Sequence, residues 1–131
     1  MITNEELSIT SSTKTDKEKL TINVGRQLSF YLKKCKPITI KWQSSKVEEI
    51  FAYLLHHVGR TIEKAKLADF MWPKLSHDKA YKRLYKAIYH MRQNLKTLRE
   101  FLLIKNVQSG YQLLIRNTTI NMEQWEKELQ K

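Results

Sequence analysis

Cysteine occurs once, at Cys35, so the chain can close no disulfide on itself. That usage suits a reducing cytoplasm. No redox or metal motif surrounds Cys35, and its plain reading is a structural or surface residue. Paired cysteines at zinc-binding spacing are excluded outright. The three glycines are scattered, which excludes a glycine-rich loop that cradles phosphate. His56 and His57 are adjacent and would point about 100° apart on a helix, so they form no chelating pair. His77 and His90 have no acidic partner at a suggestive spacing. The residues therefore compose no metal site and no catalytic constellation, and neither enzyme activity nor a cofactor is expected. Long apolar runs are missing too. No window approaches the ~18 apolar residues of a spanning helix, and the mean hydropathy is −0.55. The N-terminus has no apolar stretch of the kind that marks a secretory signal. These features point to a cytoplasmic protein without a membrane partner.

Acidic residues are also in short supply. There are 13 Asp and Glu against 24 Lys and Arg, giving a net charge of +11. An excess of this size in a small chain usually answers to a polyanion, nucleic acid more often than an anionic membrane. The excess does not come from residues 1–18, which are polar and slightly acidic and read as a flexible arm or linker.

The remaining chain alternates between two periodicities. Leu20, Ile22 and Val24 alternate with polar residues. So do Leu28, Phe30 and Leu32 after a Gly25-Arg26 turn, and Ile38, Ile40 and Trp42 after Pro37. Period two with branched and aromatic side chains predicts short antiparallel strands with one buried face. From Ser44 or Ser45, either able to cap a helix, Val47, Ile50, Phe51, Leu54 and Val58 repeat at three and four, up to Gly59. Thr61 and Ile62 form an extended link. A second helix is expected over 63–72, with Leu67, Ala68 and Met71 buried and Pro73 stopping it. A third is expected over 78–98, with Ala80, Leu84, Ala87, Ile88, Met91, Leu95 and Leu98 as its apolar stripe. Two strands, 102–105 and 111–115, flank a hairpin tip over 106–110. A last short helix is expected over 121–129, capped by Asn121, with Met122, Trp125 and Leu129 on one side.

The third helix carries the strongest chemical signal. Opposite its apolar stripe, at 100° per residue, stand Lys82, Tyr85, Lys86, Tyr89, Gln93 and Lys96, flanked by Lys79, Arg83, His90 and Arg92. No Asp or Glu occurs between Lys79 and Arg99. A solvated helix face usually mixes signs, because opposite charges four residues apart each contribute a few tenths of a kcal/mol. A face of one sign forgoes that and gathers repulsion, which a DNA major groove would relieve. Lys and Arg can neutralise phosphates or reach guanine, Gln93 can bridge an adenine edge, and Tyr85 and Tyr89 can bond phosphates or pack on sugars and methyl groups. Lys105, Asn106, Gln108 and Ser109 at the hairpin tip could meet the adjacent minor groove or the backbone.

Certain runs look familiar: Val58-Gly59-Arg60-Thr61-Ile62, Leu67-Ala68-Asp69-Phe70-Met71-Trp72-Pro73, Ala80 to Leu84, Met91-Arg92-Gln93-Asn94-Leu95 and Gly110-Tyr111-Gln112-Leu113. In this order they resemble the OmpR/PhoB-type winged-helix domain, and more closely the variant in SARP-like (antibiotic regulatory protein) activators. The resemblance covers roughly residues 20–129. It implies an α+β winged helix-turn-helix with an N-terminal antiparallel sheet, a three-helix core and a C-terminal β-hairpin wing. On this basis residues 19–116 would be the DNA-binding domain and residues 117–131 a short C-terminal helix. The third helix would be the recognition helix of a bacterial transcription regulator on double-stranded DNA. The loop after Pro73, with Lys74, Leu75, Ser76, His77 and at most Asp78, corresponds to the segment that can contact RNA polymerase. A DNA-induced dimer is a further implication. Gln108 and Ser109 stand where many relatives carry a wing arginine. Tyr89 and His90 stand where several have basic residues, so the operator cannot be carried over. The alternative is an interaction module whose winged helix docks an acidic partner and touches DNA only loosely.

Overall fold

The computed structural model describes residues 19–33 and 36–122. The arm expected over 1–18 and Cys35 lie outside them, as does the part of the expected last helix beyond Met122. The described residues form three helices and two sheets, a mixed α+β fold. They divide into two compact units, one from the described residues up to 39 with 117–122 and one from residues 40–116.

The first unit is a four-stranded sheet in the order β3-β2-β1-β7. Strands β1 (Leu20–Val24) and β2 (Leu28–Leu32) pair antiparallel around residues 25–27, and β2 pairs antiparallel with β3 (Lys36–Ile38). The period-two pattern is what the sheet buries: Leu20, Ile22 and Val24 alternate inward on β1, with Phe30 on β2. Pro37 sits on the sheet's edge strand, the position in a sheet that best tolerates proline. Two expectations fail in this region. The third strand stops at Ile38, short of Ile40 and Trp42, because later residues take over the chain: Trp42 packs its ring on Phe51 at 5.4 Å, and the Gln43 N–H donates to Asn94 Oδ1 at 2.9 Å. Asn121 does not cap a helix but ends strand β7 (Thr118–Asn121), which pairs parallel with β1. The sheet is therefore mixed rather than antiparallel. Asn117, at φ 49°, makes the sharp turn into β7, a conformation asparagine tolerates better than most residues. Its carbonyl accepts the Leu20 N–H at 3.0 Å.

The second unit runs α1 (Ser45–His56), β4 (Thr61–Glu63), α2 (Lys64–Met71), α3 (His77–Asn94), a single 3-10 turn (Lys96–Leu98), then β5 (Leu102–Val107) and β6 (Gly110–Ile115). Its core is the set of residues repeating at three and four: Val47, Ile50, Phe51, Leu54 and Leu55 of α1, Leu67, Ala68 and Met71 of α2, and Ala80, Leu84, Ala87, Ile88 and Met91 of α3. Ser44 caps α1 by accepting the Val47 N–H at 3.4 Å, and Ser76 caps α3 by accepting that of Lys79 at 3.4 Å. α2 has no side-chain cap; its first N–H, from Lys64, donates instead to the Ser109 carbonyl of the β5–β6 turn at 3.0 Å.

The link expected at Thr61 and Ile62 is a strand. It completes an antiparallel sheet of order β4-β6-β5. The hairpin is longer than expected: Asn106 and Val107 join Lys105 in β5, Gly110 joins β6, and only Gln108 and Ser109 form the turn. Gly110 serves strand approach, since a Cβ there would lie 2.0 Å from the Ile62 carbonyl oxygen. α3 ends at Asn94, not at Leu98, so Lys96 stands on the 3-10 turn rather than on the helix. The Asn94 side chain, engaged with the Gln43 backbone, ties the helix end to the segment preceding α1.

Candidate nucleic-acid interface

Residues 40–116 carry most of the basic excess, with 15 Lys and Arg against 6 Asp and Glu. The physical reason it concentrates on one surface lies in α3. Eighteen residues at about 1.5 Å each make a rod of about 27 Å. Its apolar stripe is spent on α1 and α2, so the residues between the stripe positions must face water. Lys79, Lys82, Arg83, Tyr85, Lys86, Tyr89, Arg92 and Gln93 are all exposed, and His90 is half-buried. Tyr85 and Tyr89 stand out, at 46% and 59% exposure, as large aromatic rings left in solvent within a cationic row. Asp78, in the first turn of α3, is its one acidic residue.

The two flanks of this row differ. On the side of Arg83, Lys86 and His90 a shallow groove of about 330 Å³ runs to the start of α1. It is floored by Val47, Trp72 and Ala87 and edged by Gln43, Ser44 and Lys46. Lys46 thereby joins the cations of α3 on one surface. On the other side the residues are engaged. The Arg92 guanidinium donates through Nη2 to the Ile104 carbonyl at 2.7 Å and to Asn106 Oδ1 at 2.6 Å, binding the end of α3 to β5. Tyr85 accepts a hydrogen bond from Lys64 Nζ at 2.8 Å, and that ammonium lies 5.2 Å from the centroids of both the Tyr81 and Tyr85 rings. The Tyr85 hydroxyl, as acceptor, holds the Lys64 ammonium above the usual lysine range. Burial pushes the Tyr111 phenol up as well.

Other expected residues are dispersed. Lys105 is exposed on β5 opposite Gln112, and Gln108 is exposed in the turn. In the loop before α3, Lys74 is exposed and Leu75 half-buried, while the Ser76 hydroxyl is used as the helix cap. His77 Nε2 contacts Asp69 Oδ1 at 3.2 Å, and its ring stacks on Tyr81 at 5.5 Å. Lys96 is exposed beyond the end of the helix. Lys46 and Lys64 were not foreseen. Lys64 opens an unremarkable helix, and its role arises only because α2 crosses Tyr81 and Tyr85. Lys46 had a weak signal, as a cation in the first turn after a serine cap.

Among the described residues, no group of three His, Cys, Asp or Glu could hold a metal ion, and no helix is long and apolar enough to cross a membrane. No protein-family model matches this chain, and no curated protein matches it significantly.

Proposed function

We propose that residues 40–116 form a winged helix-turn-helix unit that binds double-stranded DNA sequence-specifically, as part of a bacterial transcription regulator acting in the cytoplasm. The observation that carries this reading is the row of Lys79, Lys82, Arg83, Lys86 and Gln93 on α3, all exposed, on a helix with no acidic residue after Asp78. A helix of 10–12 Å overall diameter matches a major groove about 12 Å wide. Lys82, Lys86, Tyr89 and Gln93 lie along its outermost line and are the groups for base edges and nearby phosphates. Lys46 and Arg83, on the groove side, suit phosphates of one bounding strand. The β5–β6 hairpin, joined to the same helix through Arg92, serves as the wing, with Lys105, Asn106 and Gln108 towards the adjacent minor groove or backbone. Lys74, Ser76 and His77, just before the recognition helix, remain the proposed contact with RNA polymerase.

The reading is tested by enriching bound sequences from a pool of random duplexes with the full chain, then comparing the enriched duplex with a scrambled one by gel shift at moderate salt. The enriched duplex should bind at least about a thousandfold more tightly, the usual lower bound for specific over non-specific DNA binding. Lys82→Glu with Lys86→Glu should abolish the shift. Equal, weak binding to every duplex would instead favour docking of an acidic protein partner.

A further inference from the structure

We infer that Asn106 is a specificity-determining residue of the hairpin, its amide oxygen engaged by Arg92 so that its N–H donors are the group offered to a ligand. The inference rests on the DNA-binding reading above and adds which base pairs the hairpin prefers.

The orientation follows from chemistry. A guanidinium has only donors to offer. Arg92 Nη2 already gives one hydrogen bond to the Ile104 carbonyl, and at 2.6 Å from the Asn106 side chain it requires an acceptor there. If the amide were reversed, its NH2 would face the guanidinium, donor against donor, and the contact would become repulsive. The oxygen is therefore held inward and Nδ2 points away. Asn106 is exposed, near the end of β5 and close to the Gln108-Ser109 turn. An asparagine free to flip could present either an acceptor or a donor. With Oδ1 committed to Arg92, the group this one has left to offer is chiefly its two N–H donors.

A group offering donors discriminates in one groove in particular. In the minor groove, A·T and T·A pairs display only acceptors, adenine N3 and thymine O2, whereas a G·C pair adds the guanine 2-amino donor. Against A·T the Asn106 amide finds partners; against G·C it meets another donor. The hairpin should thus prefer A·T pairs beside the element read by α3. Arg92 acts as a positioning residue: it sets the amide and does not itself touch a phosphate.

The test uses the full chain and three variants, Asn106→Ala, Asn106→Asp and Arg92→Met. Asn106→Asp keeps an acceptor for Arg92 while removing the outward donors. Any general repulsion from its charge cancels when two duplexes are compared. Sequences enriched by the wild-type chain should show an A·T-biased segment adjoining a central element. Changing that segment to G·C should weaken wild-type binding about fivefold or more. Changing it to inosine·C, which lacks the 2-amino group, should weaken it less than about twofold. Both Asn106 variants should keep the central element and lose the G·C penalty. Arg92→Met should reduce that penalty without changing the salt dependence. The inference is overturned if the Asn106 variants discriminate as the wild type does, or if inosine·C binds as poorly as G·C. Failure of the wild-type chain to enrich any sequence would overturn the DNA-binding reading itself, a result separable from loss of the A·T preference alone.

Discussion

Gly110 should be far harder to replace than Gly59, and the size of the effect can be worked from its surroundings. A Cβ built there lies 2.0 Å from the Ile62 carbonyl oxygen and 2.8 Å from the Glu63 Cα, both backbone atoms, where ordinary contact begins near 3.4 Å. The strands must separate by more than an ångström. The first casualties are the β4–β6 pairing at Glu63 and Gly110 and the neighbouring bond from the Lys64 N–H to the Ser109 carbonyl. Two backbone hydrogen bonds at about 1 kcal/mol each, with about 1–3 kcal/mol of repacking strain, give a loss of about 3–5 kcal/mol for Gly110→Ala. That is a large part of the 5–15 kcal/mol typical of a whole domain. Gly59 is the control. It sits at φ 85° with nothing within 4 Å of its would-be Cβ, so Gly59→Ala should cost only the left-handed backbone penalty of about 1–2 kcal/mol. Urea unfolding followed by tryptophan fluorescence, with Trp42 and Trp72 as reporters in this unit, measures both. If Gly110→Ala were no more damaging than Gly59→Ala, β4 would not be held against β6 at this point.

Three further outcomes are expected. Ser76→Ala removes the cap of α3 and should cost about 0.5–1 kcal/mol by the same unfolding assay, the low end for a cap whose hydrogen bond is 3.4 Å long. Leu84→Ala opens the seam of α3 against α1 and α2 and should cost about 2–5 kcal/mol, since Leu84 is completely buried; a smaller loss would mean the stripe is not core. The Tyr111 phenol, raised by burial, holds its proton more tightly when folded. Its contribution is complete below the ordinary tyrosine range and is lost as pH climbs above about 10. The thermal midpoint should fall there, and Tyr111→Phe should flatten part of that fall.

What could be read from sequence was local. A capping serine at 44 or 45 and the repeat of Val47, Ile50, Phe51 and Leu54 are contained within one helix, and so is the one-signed face of α3. The hairpin was recognisable, but its length was not, because Gly110 looked like a turn residue and is instead a point of strand approach. β7 escaped because four residues gain strand character only from β1, nearly a hundred residues earlier; the run Thr118-Thr119-Ile120 was its sole local sign. The parts of the candidate site that went unseen are those made by crossings. Lys64 meets Tyr85 only when α2 and α3 pack, and Arg92, which reads in sequence as one more cation for DNA, reaches β5 only in the fold. Side-chain chemistry was legible, and the partners that redirect it were not.

DNA binding through α3 requires its exposed cations to meet phosphates, and the salt dependence of duplex affinity measures that. With Lys46, Lys79, Lys82, Arg83 and Lys86 each neutralising one phosphate, log affinity should fall against log salt with a slope of about −4.5, a loss of about 500-fold between 50 and 200 mM. Lys82→Gln with Lys86→Gln should shallow that slope by about 1.8. An unchanged slope in the double variant, or no measurable duplex binding by the wild-type chain at low salt, would contradict it.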